Sequence, residues 1–347
     1  MPFKNVYFTG IVRDKQRRKM SKSLGNSPDP IELMKKYGAD GVRAGMLFSA
    51  PAGNDLLFDE KLCEQGRNFS NKLWNAFRLI QKLEISDKGK DQSLAIDWIN
   101  SRFNEVLDEV EDHFSKYRIS DALLSLYTFI WDDFCSWYLE IIKDSTITDN
   151  TRTGTISVLE KTLKTLHPFM PFITEELWNQ IDEGRDYIMI SEYPNAEKFD
   201  TKLNQDFKKI FEIVTGLRKL KSDNKIKQID VVEVMVNKKS EFNFNKYIDL
   251  IEKLSKTRKL QFVNEIPNNY PSLISGKDTL CLAVEKSEDS KDDTLKQIEY
   301  LEGFLKSVEK KLSNKNFVDN APESVVDIER KKKEDALVKL ENLKKSI

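Results

Sequence analysis

The feature that most constrains the fold is a series of apolar residues spaced three or four positions apart between residue 59 and about residue 181. One stripe consists of Ile96, Ile99, Phe103, Val106, Val110 and Phe114. Another consists of Leu123, Tyr127, Ile130, Phe134, Trp137 and Ile141. This spacing places apolar side chains on one face of an α-helix, and several such helices bury those faces by packing together. The sequence therefore predicts a helical bundle within a mainly α chain.

A small α+β unit is predicted after the bundle. A helix at about 202–221 precedes a strand at 231–236, and a helix near 245–254 follows. Two further strand-like runs lie at 260–263 and 280–284. Short β-rich runs that alternate with helical spacing predict a compact mixed unit, here spanning about 195–286.

From about residue 289 the apolar spacing becomes heptad-like and predicts a C-terminal antiparallel coiled-coil hairpin. The first helix contributes Leu295, Ile298, Leu301 or Glu302, Leu305, Val308 and Leu312 to the apolar seam, and the second contributes Leu337, Leu340 and Ile347. A turn near 314–322 would join the two helices. The predicted domains are residues 1–58, 59–194, 195–286 and 287–347.

Composition limits the class of protein. The 347 residues are 33% charged with a formal net charge of −1, so attraction to nucleic acid would have to come from local clusters of charge. Cys63, Cys135 and Cys281 lie far apart without a metal-binding pattern, which predicts reduced thiols in a cytoplasmic protein and no metal site. No apolar run approaches ~18 residues, so no membrane-spanning segment is expected.

Residues 13–30 form a strongly basic stretch between a predicted strand and a predicted helix. Its cations are Arg13, Lys15, Arg17, Arg18, Lys19 and Lys22, and Asp14 is the carboxylate among them. Such a cluster favours a polyanionic ligand, although a solvated basic turn is the alternative. Asp29, Pro30 and Glu32 have the spacing of a helix start, and Gly38 marks the expected helix end.

Within this stretch, Lys19-Met20-Ser21-Lys22-Ser23 matches in full the KMSKS signature of class I aminoacyl-tRNA synthetases, which this chain resembles. In that family the loop closes over ATP, and its lysines stabilise the charge on the leaving pyrophosphate as an aminoacyl-adenylate forms. The resemblance implies that Lys22 is the main phosphate contact, that Lys19 assists it, and that all five residues bind ATP with its Mg²⁺. A cation aimed at developing charge can contribute roughly 3 kcal/mol to the barrier.

Three further motifs narrow the resemblance to the synthetases for valine, isoleucine and leucine. Residues 37–43 match the Tyr-Gly-Ala-Asp-x-x-Arg pattern that follows the signature loop. Residues 166–178 are similar to the hallmark of the anticodon-binding bundle. The run 67–76, Arg-Asn-Phe-Ser-Asn-Lys-Leu-Trp-Asn-Ala, resembles the valine enzymes most, as do residues 51–55 and the predicted hairpin turn at 316–322.

These motifs imply a valine–tRNA ligase, which joins valine to its tRNA through valyl-adenylate. One alternative is an isoleucyl- or leucyl-tRNA synthetase, and another is a stand-alone RNA-binding helical protein. The resemblance covers the whole chain but corresponds to the C-terminal part of a longer enzyme. The other family signature, His-x-Gly-His, does not occur, because the two histidines are His113 and His167. We therefore expect the isolated chain not to activate valine.

Several residues have proposed roles outside the loop. The candidate tRNA-binding residues of the hairpin are Lys310, Lys311, Arg330, Lys331, Lys332 and Lys333. A weaker candidate set, with a solvated surface as an equal alternative, is Lys219, Lys221, Lys225 and Lys227. Trp131, Phe134 and Trp137 are predicted to pack in the core, and His167 is interpreted as structural. The parent enzyme is expected to be a monomer whose partners are valine tRNA, ATP and valine.

Overall fold

The computed structural model describes residues 2–4, 6, 8, 10–49, 54–143, 146–267, 269–284, 288–313 and 323–345. The chain forms two compact units, Met1–Gln205 and Asp206–Ile347. Most described residues are helical, which confirms the predicted mainly α class. The finer division into four domains stays a prediction.

The first unit begins with a short parallel strand pair that encloses the basic stretch. Strand β1 (Val12–Arg13) pairs with β2 (Leu56–Leu57). Between them lie a 3₁₀ turn (Lys22–Leu24) and helices α1 (Pro30–Tyr37) and α2 (Ala39–Phe48). The Asp29 carboxylate accepts the Ile31 N–H at 2.8 Å, and Gly38 ends α1. The start and end predicted for α1 are therefore confirmed.

The predicted bundle fills the rest of this unit. It contains α3 (Glu60–Gln81), α4 (Ser93–Ser115), α5 (Ile119–Thr128), α6 (Leu139–Ile142), α7 (Asp149–Leu166) and α8 (Pro171–Ile181). A π-helical segment, Phe129–Tyr138, joins α5 to α6. The largest fully buried side chains of the bundle are Phe69, Leu73, Trp98, Phe103, Phe129, Phe134, Tyr138 and Phe169. Five of them, Phe69, Leu73, Phe103, Phe134 and Phe169, come from the stripes and motifs identified in the sequence, whereas Trp98, Phe129 and Tyr138 do not.

Helices α2 and α3 approach each other closely. A methyl group added at Gly45 of α2 would lie 2.6 Å from the backbone nitrogen of Cys63 in α3, a separation too short for two such atoms. Next to this crossing, Leu33, Tyr37 and Cys63 form a small core. The segment that follows the basic loop is therefore packed directly against the first helix of the bundle.

Some short elements of the first unit, β2 among them, were not predicted. Strand β3 (Ile85–Lys90) follows α3, and isolated bridges link Ile85 and Lys90 to Ile147. A 3₁₀ turn, Ile188–Ile190, follows α8. No helix in the described part of the chain is both long enough and apolar enough to cross a membrane.

The second unit contains a four-stranded sheet with helices before and within it. Helix α9 (Thr201–Asp223) leads to β4 (Val232–Asn237), α10 (Phe244–Ser255), β5 (Thr257–Phe262), β6 (Ser272–Ser275) and β7 (Asp278–Leu282). The strand order is β5-β4-β7-β6, and β4 runs parallel to β5 but antiparallel to β7. The sequence predicted all of these elements except β6.

The structure contradicts the tRNA contact considered for Lys221, because this side chain is fully buried. Its ammonium group donates to backbone carbonyl oxygens at 2.6–3.3 Å, and those oxygens belong to Gln228, Asp230, Ser255 and Lys256. Burial lowers the pKa of Lys221. Its place is inside the α+β unit, where it ties the end of α10 to the loop before β4.

Helices α11 (Glu288–Leu312) and α12 (Glu323–Lys345) pack against each other in opposite directions. Lys311 lies 3.8 Å from Glu329 and Lys333 lies 3.0 Å from Glu309, so rising numbers on one helix face falling numbers on the other. The predicted turn at 316–322, Ile347 and the Leu295 side chain lie outside the described residues. The coiled-coil geometry of this hairpin stays a prediction.

One seam residue of the hairpin was predicted wrongly. Leu305 and Val308 are buried as expected, but Leu337 is 46% exposed. Among the α12 side chains that the structure describes, the buried ones are Val326, Glu329 and Ala336. The seam therefore follows a different face of α12 and includes the Glu329 carboxylate. The prediction failed because α12 has few apolar residues, and several heptad assignments fit them.

Candidate ATP loop and nucleic-acid interface

The basic stretch folds as a tight hairpin. The Met20 N–H donates to the Val12 carbonyl oxygen at 3.1 Å, and the Asp14 N–H donates to the Arg18 carbonyl oxygen at 2.9 Å. The turn places Arg17 at φ 64°, a left-handed conformation that costs a residue with a Cβ about 1–2 kcal/mol. The first lysine of the signature, Lys19, therefore lies on the returning arm of a hairpin that begins at β1.

Asp14 organises the turn of this hairpin. Its carboxylate accepts the backbone N–H groups of Gln16 and Arg18 at 3.0 and 2.9 Å, and the Arg18 Nε at 2.8 Å. Asn26 donates to the same carboxylate at 3.0 Å. Hydrogen bonds from Asn26 and Arg18 hold the pKa of Asp14 well below its ordinary value. The carboxylate therefore stays charged, and these donors occupy its hydrogen-bonding capacity.

Asn26 fixes the backbone on both sides of Met20. Its Oδ1 accepts the Ser21 N–H at 2.9 Å, while its Nδ2 donates to the Lys19 carbonyl oxygen at 3.2 Å as well as to Asp14. One side chain thus connects the turn of the hairpin to the centre of the signature. We name Asp14 and Asn26 together the loop frame.

The second half of the signature forms a single 3₁₀ turn. Ser21 Oγ accepts the Leu24 N–H at 3.2 Å and lies 2.8 Å from Ser23 Oγ. Gly25, at φ 65°, ends the turn, and its N–H donates to the Lys22 carbonyl oxygen at 3.1 Å. This cap sets the position of Lys22 relative to Lys19.

Arg13 and Asp55 attach the hairpin to strand β2. The Arg13 guanidinium pairs with the Asp55 carboxylate, which also accepts the Ile11 N–H at 3.0 Å. These hydrogen bonds, first that from Arg13, lower the pKa of Asp55. The base of the loop is therefore fixed by an ion pair, and this pair supplements the short strand pairing.

The five predicted ATP-binding residues lie together on this loop, Met20 and Ser21 partly buried and the other three exposed. Neither Lys19 nor Lys22 forms an ion pair with a residue that the structure describes. Neighbouring cations do, since Arg18 pairs with Asp14 at 2.7 Å and Lys15 with Asp59 at 3.2 Å. The arrangement leaves two ammonium groups available to an incoming anion such as a polyphosphate.

The sequence did not reveal which residues hold the loop. Asp14 stood out only as a carboxylate among cations, and neither Asn26 nor Asp55 had an assigned role. The available signal was the run Lys22-Ser23-Leu24-Gly25-Asn26, in which an amide follows a glycine that can end a turn. Spacing alone did not indicate that Asn26 reaches back to Asp14.

Two motifs distant in sequence meet at α2 and α8. Arg43 donates to the carbonyl oxygens of Phe169 and Pro168 at 3.1 and 3.0 Å. Asp40, which is buried, accepts the N–H groups of Ile173 at 2.6 Å and Phe172 at 3.3 Å at the start of α8. Burial raises the pKa of Asp40, while these hydrogen bonds oppose the shift. Arg43 therefore binds backbone carbonyl oxygens of the junction between α7 and α8.

His167 has the structural role expected of it. Its Nδ1 lies 2.7 Å from the Thr174 hydroxyl, which in turn donates to the Met170 carbonyl oxygen at 2.8 Å. Burial lowers the pKa of His167. These contacts brace the junction between α7 and α8.

The candidate tRNA-binding residues of the hairpin differ in their pairing. Lys332 pairs with Glu329 at 2.7 Å, Lys333 with Glu309 at 3.0 Å and Arg330 with Asp327 at 3.2 Å. Lys310 and Lys331 are exposed and form no ion pair with a described residue. Lys310 and Lys311 lie in the last turn of α11, and the other four lie in the first half of α12, where Glu329 and Lys333 face Lys311 and Glu309, so the structure brings the six candidates together.

The described residues offer no metal centre, because nowhere among them do three His, Cys, Asp or Glu side chains converge. The free thiols Cys63, Cys135 and Cys281 are all buried. Burial raises the pKa of Cys135 to about 12 and that of Cys281 to about 11. These thiols are therefore protonated at neutral pH.

Three protein-family models match this chain. Residues 1–59 match the tRNA synthetases of class I for isoleucine, leucine, methionine and valine. Residues 97–236 match the anticodon-binding domain of tRNA ligases, and residues 289–347 match the valyl-tRNA synthetase tRNA-binding arm. Together the three matches define a class I tRNA synthetase.

Comparison with curated relatives shows which class I tRNA synthetases the chain is similar to. A valine–tRNA ligase of Christiangramia forsetii is 47% identical over the whole chain, and one of Phocaeicola vulgatus is 44% identical. The chain spans 41% of the length of each relative. A LeuRS–tRNA–LeuAMS complex from Agrobacterium radiobacter K84 has a TM-score of 0.46 at 23% identity, over 59% of this chain and 25% of that one. The chain belongs to the valine–tRNA ligase family and is a C-terminal fragment of such an enzyme.

Proposed function

We propose that the complete enzyme containing this chain attaches valine to its tRNA through valyl-adenylate. The identity with valine–tRNA ligases over the whole chain favours valine over the isoleucine and leucine alternatives. The same relatives, together with the match of residues 1–59 to a synthetase model, argue against a stand-alone RNA-binding protein. In this proposal the chain supplies the ATP loop and the tRNA-binding regions.

The observation that carries the proposal is that the ammonium groups of Lys19 and Lys22 are exposed on a hydrogen-bonded loop and have no ion-pair partner among the described residues. Lys22 contacts the phosphates of ATP, and Lys19 assists as negative charge shifts to the leaving pyrophosphate. Fixed cations stabilise this charge without having to reorganise during the reaction. In this proposal Mg²⁺ arrives with ATP and is held mainly by the phosphates, as is usual for this cation.

Transfer RNA is the macromolecular partner in this proposal. The matches to an anticodon-binding domain and a tRNA-binding arm support two RNA-contacting regions on the chain. The close packing of α2 on α3 supports a role for α2 as a rigid link between the loop segment and the bundle. The thin apolar seam of α12 offers little surface to a second chain, which supports a monomeric enzyme.

Amino-acid-dependent exchange of pyrophosphate into ATP tests the proposal. The complete enzyme should exchange pyrophosphate with valine and charge valine tRNA, at rates far above those with isoleucine or leucine. The 347-residue chain alone should show no exchange above a buffer blank, since positioning by the remainder of the enzyme is required. Preference for isoleucine or leucine, or tRNA binding without any exchange, would contradict the proposal.

A further inference from the structure

Lys221 differs from the lysines around it in the second unit. Lys219 and Lys227 are exposed, whereas the Lys221 side chain, in the last turn of α9, is 0% exposed. A buried ammonium group has lost its water shell, so protein atoms have to take the place of that water. The atoms that do so here show what this residue is for.

Four backbone carbonyl oxygens surround the Lys221 ammonium group. They belong to Gln228, Asp230, Ser255 and Lys256, and they lie 3.3, 2.6, 3.2 and 2.9 Å from Nζ. An ammonium group has three N–H donors, so at least one of them is shared between two oxygens. We name these four oxygens the carbonyl cage.

A cage of carbonyl oxygens is the chemical environment of a monovalent cation. Potassium channels use such oxygens to replace the hydration shell of the ion. The end of a helix strengthens the field of this cage, because Ser255 is the last residue of α10 and Lys256 caps it. Carbonyl oxygens at a helix C-terminus carry partial negative charge. The cage therefore suits a small cation that can also donate hydrogen bonds.

A second cation of α9 binds the same helix end. Arg218 donates to the Leu254 carbonyl oxygen twice, at 3.1 Å from Nε and at 2.7 Å from Nη2. Arg218 and Lys221 lie three positions apart, so they share one side of α9. Between them they bind the carbonyl oxygens of Leu254, Ser255 and Lys256. Helix α9 thus supplies side chains that cap the C-terminus of α10.

The carbonyl cage lies where strands β4 and β5 begin. Val232 pairs with Thr257 at the start of their parallel ladder, and the cage residues Asp230 and Lys256 come just before these two positions. Parallel strands are not joined by a tight turn that could fix which residues pair. One ammonium group that holds both strand entries can fix that starting point.

The pairing of β4 with β5 is irregular, which makes a fixed starting point more important. Its register shifts between Glu233 and Val234, and Lys259 of β5 has a φ of 54°. The paired residues Val234 and Leu260 are both buried. A slip of one residue would turn such side chains to the opposite face of the sheet. A constraint outside the ladder is therefore needed to align the two strands.

We propose that the carbonyl cage is a monovalent-cation site that sets the register of β4 on β5, and that Lys221 fills it as a tethered ammonium ion. The free ligands that this site would take are primary ammonium ions, which donate three hydrogen bonds as lysine does. The site acts within the second unit and does not depend on which amino acid the complete enzyme attaches.

Chemical rescue of the 347-residue chain tests the cage. Lys221→Ala removes Cγ, Cδ, Cε and Nζ, which n-propylammonium replaces atom for atom. We expect this variant to unfold about 10 °C lower than the wild type, because four buried carbonyl oxygens lose their donor. Saturating n-propylammonium should restore about half of the loss, whereas tetramethylammonium at equal ionic strength should restore almost none, because it has no N–H donor.

Calorimetry gives the unfolding temperature, and hydrogen exchange over residues 228–262 shows whether the change lies at the cage and the strand pair. Lys221→Met keeps the length of the side chain but removes its charge, and should lose as much stability without any rescue. Lys219→Ala, at an exposed lysine of the same helix, is the matched control and should shift the unfolding temperature by less than about 2 °C. Wild-type stability in Lys221→Met, or equal rescue by the two cations, would overturn the proposal.

The wild-type chain allows a test that needs no folded variant. Reductive methylation under native conditions modifies lysine amines that can reach the reagent without their proton. Lys221 should react at least about 100-fold more slowly than Lys219 or Lys227, because the cage has to open first. Peptide mass spectrometry measures the three rates. Equal rates for Lys221 and Lys219 would overturn the proposal, and this comparison decides alone if neither Lys221 variant folds.

Discussion

The signature loop and the C-terminal hairpin are both rich in lysine and arginine, but they use their cations differently. In the loop, the Asp14 carboxylate accepts hydrogen bonds from Asn26, Arg18 and backbone N–H groups. Lys19 and Lys22 are left unpaired among the described residues. In the hairpin, Glu309 and Glu329 pair with Lys333 and Lys332, cations that sequence analysis assigned to RNA.

We propose that this difference follows from the different roles of the two sets of cations. A phosphate that changes charge during a reaction needs ammonium groups whose positions are fixed in advance. A helix that contacts an RNA backbone needs only a positive field, because phosphate contacts act largely through counterion release. Exposed ion pairs cost little to break, so lysines of the hairpin can exchange partners when RNA arrives. Identical residue types thus support a positioned contact in one region and a diffuse one in the other.

The largest expected effect comes from removing one positioned cation. Lys22→Ala in the complete enzyme should lower the rate of adenylate formation roughly 100-fold, corresponding to ~3 kcal/mol of transition-state stabilisation. The KM for valine should change little. Pre-steady-state measurement of valyl-adenylate formation gives the rate. Lys35→Ala, which changes an exposed lysine of α1, is the control and should react normally. A raised KM for valine with an intact kcat would make the loop a ground-state binding element.

The second prediction concerns the loop frame. Asn26→Ala removes the hydrogen bonds to Ser21, Lys19 and Asp14 while leaving both signature lysines in place. We expect adenylate formation to fall about ten-fold, mainly in kcat, because the cations lose their fixed position. Ser27→Ala, at an exposed neighbour, is the matched control and should have no effect.

Asp14→Asn supplies an independent check of the same frame. This change weakens acceptance from Arg18 and Asn26, so its effect should overlap with that of Asn26→Ala. The double variant should be little slower than the slower single variant, as expected for residues that act as a unit. Full activity of Asn26→Ala would show that the frame does not position the lysines.

The third prediction compares unpaired and paired cations of the hairpin. Lys310→Ala/Lys331→Ala and Lys332→Ala/Lys333→Ala change the net charge equally. At low ionic strength we expect the first variant to weaken tRNA binding about five-fold and the second about two-fold, because paired lysines must first leave their carboxylates. Filter binding at two salt concentrations measures both. Equal losses would mean that pairing in the hairpin does not affect RNA contact.

Much of this architecture follows from local sequence signals, as α1 illustrates. Asp29, Pro30 and Gly38 lie next to the backbone groups that they cap or redirect, so sequence order alone predicted both ends of α1. The bundle helices could also be predicted from the sequence, because their buried residues recur with the period of an α-helix. Strand β3 was missed because most of its six residues are polar and exposed, and β6 was missed because it is only four residues long.

The remaining contacts had no local signal. Arg43 and Asp40 contact backbone groups of residues 168–173, more than a hundred positions away, and a carbonyl oxygen has no residue identity to detect. Lys221 was misjudged for the same reason, since its partners are four carbonyl oxygens. Leu337 was assigned to the seam because α12 has too few apolar residues to fix a heptad assignment. Sequence patterns predicted elements well and backbone-directed side chains poorly.

The smallest expected effect comes from changing the strained backbone conformation at Arg17. Arg17→Gly should stabilise the left-handed turn by about 0.5–1 kcal/mol, since glycine avoids the Cβ penalty but loses more entropy on folding. The Arg17 carbonyl oxygen, which accepts from Arg13 at 3.1 Å, is retained. Hydrogen exchange at the Met20 and Ser21 amides should slow about two- to five-fold.

The opposite change, Gly25→Ala, places a Cβ at φ 65° and should speed the same exchange by a similar factor. Exchange in the wild-type loop should therefore be faster than in Arg17→Gly and slower than in Gly25→Ala. Adenylate formation should change less than about two-fold in Arg17→Gly, because the contacts of Asp14 and Asn26 survive. A large loss of rate in that variant would mean that the Arg17 side chain itself contacts ATP, and the loop would then have three functional cations.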